Sequence, residues 1–183
     1  IGLGMKGLLY VELTAKESVR DVHSSFAVII KNPAWRLVQA LNTMRDDSGK
    51  ILIKGWYDDI KPLSKKDIKL IQKEPFDADG FKKEYGVKSF VDNKNAFDAK
   101  KALTSGVTCN IAGIESGYIG EGAKTVLPGS AKVKIDFRLV PNMDPKKLIK
   151  LLQKHLHVNG FSDITINVLN AESAARTNPN EKI

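Results

Sequence analysis

Between Thr108 and Pro141 the chain gathers side chains able to hold an anion or a carbonyl oxygen: Asn110, Lys124, Thr125 and Arg138. They lie in Thr108-Cys-Asn-Ile-Ala-Gly-Ile-Glu-Ser-Gly-Tyr-Ile-Gly-Glu-Gly-Ala-Lys-Thr-Val-Leu-Pro128 and, further on, in Asp136-Phe-Arg-Leu-Val-Pro141. An amide, an ammonium, a hydroxyl and a guanidinium are hydrogen-bond donors suited to orienting a substrate. No general base, nucleophile–base pair or metal cluster stands near them. The stretch reads as the gripping half of an active site without the reacting half.

Other motifs dissolve on inspection. Gly117-Tyr-Ile-Gly-Glu-Gly-Ala-Lys-Thr125 resembles a phosphate loop, but Ala123 separates the last glycine from the lysine. Val126-Leu-Pro-Gly129 then forbids the helix whose N-terminus would meet a phosphate. Asp77-Ala-Asp-Gly80 lacks the further oxygen ligands of a calcium loop and reads as a helix cap. His155 and His157, two apart near a helix end, point to different faces and make a poor metal pair, so solvent or a helix-dipole contact is expected for them. His23 sits in a loop beside Asp21, Ser24 and Ser25. Neighbours so close in sequence rarely reach triad geometry, and no glycine elbow presents a serine. Cys109 is the single cysteine, which excludes an internal disulfide and any multi-thiolate zinc site. In a strand-like setting it reads as a small buried hydrophobe.

The elements that must position these groups follow from pattern. Lys6 to Ala15 alternates as a strand. Asn32-Pro33 caps a helix whose apolar stripe is read as Trp35, Leu37, Val38, Leu41 and Met44. Gly106 to Ile114 is expected to be a strand. Ala131 to Val140 alternates Val133, Ile135, Phe137 and Leu139 against Lys132, Lys134, Asp136 and Arg138. Asp144-Pro145 caps a second helix with Leu148, Leu151, Leu152 and Leu156 on one side, Gly160 ends it, and Ile164 to Leu169 is a last strand.

Residues 50–105 are rich in Lys and Asp. They read as a mostly helical surface insertion: a capping pattern at Ser64-Lys-Lys-Asp67, then short helices at 77–85 and 94–104. Without it the order is strand, helix, strand, strand, helix, strand. That order predicts an α+β fold of the split βαβ, ferredoxin-like kind: a four-stranded antiparallel sheet with two helices on one face.

At 183 residues, 42% hydrophobic and 27% charged, the chain suits one soluble domain. No apolar run reaches the roughly 18 residues a membrane span needs. The net charge of +8 invites a nucleic-acid reading, but the lysines are scattered over helix-like segments without stacking aromatics. Neither nucleic acid nor membrane is expected as a partner. The opening at Ile1 and the ending Arg176-Thr-Asn-Pro-Asn-Glu-Lys-Ile183 read as those of an excised piece, with 1–177 a domain and 178–183 a connector.

The ordered motifs now carry a resemblance. Lys6-Gly-Leu-Leu-Tyr-Val-Glu-Leu13, Arg20-Asp-Val-His-Ser24, Asn32-Pro-Ala-Trp-Arg-Leu37, Gly120-Glu-Gly-Ala-Lys-Thr-Val-Leu-Pro128 and Asp136-Phe-Arg-Leu-Val-Pro141 resemble the lid, or dimerisation, domain of the dinuclear-zinc exopeptidase and deacylase family, nearest its carnosinase branch. The resemblance implies a homodimer and a separate catalytic domain, absent here, holding two zinc ions and the general base. No cofactor or metal is expected within this chain. It implies that His23 steadies the oxyanion in the partner subunit's site, that Thr125 touches substrate across the dimer, and that Arg138 grips the substrate carboxylate. Asn110 is carried over as a weaker substrate contact. The family usually has Gly after His-Ser, where this chain has Ser25. The expected substrate is a small peptide or acyl-amino acid, and the expected location is the cytoplasm. A stand-alone dimerisation module without chemistry is the alternative.

Overall fold

A computed structural model describes residues 4–177; the proposed connector, 178–183, lies outside the described residues. The strands are β1 (Gly4–Met5), β2 (Gly7–Lys16), β3 (Val22–His23), β4 (Asn110–Ser116), β5 (Val126–Leu127), β6 (Ser130–Leu139), β7 (Thr165–Glu172) and β8 (Ala175–Arg176). The helices are α1 (Pro33–Met44), α2 (Lys65–Lys73), α3 (Ala78–Tyr85), α4 (Ala96–Ser105) and α5 (Pro145–Val158).

The central sheet has four strands in the order β4-β6-β2-β7, every neighbouring pair antiparallel. With α1 and α5 as the crossovers, this is the split βαβ arrangement. Alternation decides which face is covered. Leu9, Val11 and Leu13 of β2 and Val133, Ile135, Phe137 and Leu139 of β6 are buried, with Leu37, Ala40 and Met44 of α1 and Leu148, Leu152 and Leu156 of α5 in the same core. The opposite face carries Lys132, Lys134 and Arg138, all exposed. Each fully buried Leu or Phe contributes about 1.5–3 kcal/mol through lost apolar surface.

The helix starts behave as their caps require. Asn32 accepts from the Ala34 amide and Asp144 from the Lys146 amide, each with proline at the first helical position, where no amide hydrogen is needed. Ser64 and Asp67 form a reciprocal capping box, and Asp77 accepts from the Gly80 amide.

Three expectations need correction. The α1 stripe facing the core is Pro33, Leu37, Ala40 and Met44; Trp35 and Val38 are 66% and 48% exposed. The helix thus carries further apolar side chains, nearly half a turn from that face, that the core does not use. Secondly, the segment assigned to the surface insertion starts inside the core. Ile51, Ile53 and Trp56 are all buried, and the Trp56 ring lies 4.6 Å from that of Phe137, centroid to centroid. Thirdly, His155 is buried rather than solvated.

The setting of His155 has a measurable consequence. The Thr43 hydroxyl donates to the Ala40 carbonyl (2.7 Å), so its oxygen accepts from His155 Nε2–H at 2.9 Å. Burial lowers the His155 pKa from 6.5, with the Thr43 contact opposing. Between 6.5 and the lower folded value the unfolded chain binds a proton that the folded chain does not. Stability is therefore full above about pH 6.5 and falls as the pH drops through that window, by at most about 1.4 kcal/mol per pH unit. Urea denaturation at about pH 7.5 and about pH 5.5 is expected to show the loss, and His155→Gln to flatten it.

Candidate functional site

The loops carrying His23 and Thr125 leave the sheet at one end and are pinned to each other there. The Gly129 carbonyl accepts from the amides of Glu17 (3.0 Å) and Ser18 (3.2 Å). The Asp21 carboxylate accepts from the Gly129 amide at 2.9 Å, a structural task that removes it from any triad with His23. Strands β3 and β5 then pair antiparallel, His23 opposite Val126, and the Ser24 amide meets the Thr125 carbonyl at 3.4 Å. Two residues a hundred apart in sequence thus become neighbours, both exposed.

The His23 ring is held on one side. Its Nδ1 accepts from the Ser25 amide at 3.2 Å and lies 2.8 Å from Ser25 Oγ. Among the described residues Nε2 makes no hydrogen bond and is free to meet a ligand. Sequence reasoning missed the Ser25 contact, although a serine two residues past a histidine in a turn is the available signal.

Arg138 sits elsewhere. It faces Leu8 near the far end of β6, its backbone amide donating to Thr108 Oγ at 3.0 Å. Its exposed guanidinium has no hydrogen bond or ion pair among the described residues. Lys6 is close by: its ammonium donates to the carbonyls of Gly106 (2.7 Å) and Ala102 (3.3 Å), closing the end of α4. Burial first, and the Arg138 charge second, push the Lys6 pKa below its ordinary value. Two cations side by side make this end attractive to a carboxylate. No sequence signal pointed to Lys6.

Asn110 is engaged: its amide donates to Asp136 Oδ1 at 2.7 Å, across the β4–β6 pair. Lys124 lies over the Tyr118 ring, 5.7 Å from its centroid. Cys109 is half-buried, and desolvation pushes its thiol pKa up to about 11, which keeps it protonated and a poor nucleophile. Among the described residues no group of three or more His, Cys, Asp or Glu could hold a metal ion. No described helix is long and apolar enough to cross a membrane.

The sequence-predicted residues therefore fall into two groups. His23 and Thr125 stand together beyond the Lys16–Ser130 end of the sheet, while Arg138 stands near the other end with Asn110 beside it. Ser130 and Arg138 are eight residues apart on one strand, roughly 26 Å at about 3.3 Å per residue. An edge lies alongside. β4 is one of the sheet's two outer strands, β7 being the other; it is exposed along nearly its whole length and has no Lys or Pro, and Ile111 and Ile114 are 47% and 60% exposed. A groove between β4 and α1 is lined by Val38, Leu41, Arg45, Cys109, Ile111 and Ile114 among others.

Residues 3–163 match the family described as Peptidase dimerisation domain. The chain is 34% identical over 155 residues to the Cys-Gly metallodipeptidase DUG1 of Candida albicans, covering 84% of this chain and 32% of that protein. Among solved structures, an M20 family metallo-carboxypeptidase, Sso-CP2 from Sulfolobus solfataricus, superposes with a TM-score of 0.92 at 42% identity, over 98% of this chain and 46% of that one. Human carnosine dipeptidase 1 superposes with a TM-score of 0.89 at 27% identity, over 99% of this chain and 40% of that one. The chain thus spans about a third of the length of the curated relative and under half of these structures. With the family matched over most of its length and the split βαβ fold shared, this chain belongs to the dimerisation-domain family of the M20 metallopeptidases.

Proposed function

We propose that the chain is the lid and dimerisation domain of a cytoplasmic, zinc-dependent M20 hydrolase that cleaves dipeptides or acyl-amino acids with a free carboxylate. The observation that carries this reading is the separation of the two polar groups. A dipeptide extends only about 7 Å, so one substrate cannot touch His23 and Arg138 of the same copy when roughly 26 Å of strand lies between the two ends. Two copies can bring them together. If β4 pairs with the β4 of a second copy about a two-fold axis, the strands run antiparallel, and the His23 end of one copy lies toward the Arg138 end of the other. The exposed β4 edge and the apolar side chains of Val38 and Leu41 in the groove beside it favour that pairing.

In each composite site Arg138 holds the substrate carboxylate with its planar fork, while His23 and Thr125 come from the partner and meet the scissile carbonyl. A zinc centre held by residues outside this chain would polarise that carbonyl and supply a hydroxide. The chain by itself turns over nothing. Similarity to a Cys-Gly metallodipeptidase and to a carnosine dipeptidase supports dipeptides as the first substrates to test. The lone, protonated thiol suits a reducing compartment.

The test is Ile114→Lys, which puts a charge on the β4 edge. In sedimentation velocity the dimer's dissociation constant is expected to rise about tenfold or more, the scale of a central interface residue. In the whole enzyme, turnover is expected to fall with the dimer population. A monomeric Ile114→Lys enzyme with full turnover would sink the reading.

A further inference from the structure

We infer that Ser25 is a positioning residue that keeps His23 Nε2 protonated and aimed outward. The inference rests on the reading of His23 as an oxyanion donor, and it concerns how a solvent-exposed imidazole is kept ready for that task. A neutral imidazole carries one proton, on either nitrogen. In free solution nothing holds the ring in a single tautomer or a single direction. Here Nδ1 faces the Ser25 amide at 3.2 Å. A backbone N–H can only donate, so Nδ1 must offer its lone pair, and the ring proton of the neutral form belongs on Nε2.

The Ser25 hydroxyl, 2.8 Å from the same nitrogen, adds what the amide cannot. A hydroxyl both donates and accepts. Facing a bare Nδ1 it donates; facing a protonated Nδ1 it turns and accepts. Nε2 thus carries a hydrogen in the neutral ring and in the imidazolium alike; both contacts hold the neutral ring from one side, and the hydroxyl alone can hold the imidazolium. An oxyanion donor needs a preorganised N–H, and its worth falls when it must reorient during the reaction. Glycine or alanine at this position keeps the amide but loses the adaptable hydroxyl. Asp21, another polar neighbour in the loop, accepts from the Gly129 amide instead.

The experiment has two arms. The chain contains only three histidines, so its ring ¹⁵N resonances can be assigned with His23→Ala as reference. The 183-residue chain is expected to show His23 with Nε2 protonated and Nδ1 as acceptor; Ser25→Ala is expected to increase the minor Nδ1–H tautomer and Ser25→Thr to restore the original pattern. In the whole enzyme Ser25→Ala is expected to lower kcat about three- to tenfold with KM unchanged, and Ser25→Thr to recover most of it. A wild-type ring protonated at Nδ1, or a Ser25→Ala ring with unchanged tautomer and unchanged kcat, overturns the inference about Ser25. Near-normal turnover in His23→Ala overturns instead the role given to His23, whatever the ring spectra show.

Discussion

His23→Ala in the whole enzyme is expected to lower kcat about a hundredfold or more, with a small change in KM. Removing one preorganised donor to a developing oxyanion costs about 2.7–4 kcal/mol in the transition state. A contact made only as the oxyanion develops is lost from kcat rather than from binding. The fold adds a sharper form of the test. If His23 acts in the partner's site, a dimer mixing His23→Ala with a variant inactivated at a zinc ligand has one complete site: the His23→Ala subunit supplies the metal and Arg138, and the other supplies His23. Mixing two nearly dead enzymes is expected to restore up to about a quarter of wild-type activity, from the half of dimers that are mixed and the one competent site in each. Linear mixing with no recovery means that His23 works within its own chain, and the two-ended arrangement then has no role in catalysis.

The strands that hold Arg138 were legible because the core imposes period two: Val133, Ile135, Phe137 and Leu139 face inward and are all buried. Helix starts were legible because Asn32, Ser64, Asp77 and Asp144 answer to local hydrogen bonding alone. What escaped depends on contacts between distant segments. β3 and β5 are two residues each, too short for any periodicity, yet their pairing sets His23 beside Thr125. The unused apolar side chains of α1 could not be told from the core-facing ones, since Trp35 and Val38 are as apolar as the residues that pack inward. His155 looked like a surface residue near a helix end until Thr43, on another helix, supplied its partner. The resemblance to a family named His23, Thr125 and Arg138 but said nothing of the strand length that divides them.

Arg138→Ala is expected to lower kcat/KM for dipeptides with a free carboxylate by roughly 30-fold to a few thousandfold, the scale for truncating one partner of a buried, hydrogen-bonded charge pair. The effect should fall mainly on KM if the contact is equal in ground and transition states, and on both parameters if it also aligns the scissile bond. Arg138→Lys keeps the charge but not the fork, and is expected to recover only a minor part of the loss. Lys6 is already committed to the carbonyls at the end of α4, so it cannot take over the carboxylate. Substrate chemistry gives the control: a C-terminally amidated dipeptide has no anion to grip, so the wild type and Arg138→Ala should hydrolyse it at similar, low efficiency. If Arg138→Ala lowers cleavage of the amide as much as that of the acid, the arginine supports the fold, and the substrate carboxylate must be held elsewhere. A drop confined to the acid assigns the guanidinium to the carboxylate. The His23 and Arg138 variants would then report on opposite ends of one substrate, as expected of a site whose two gripping groups come from different subunits.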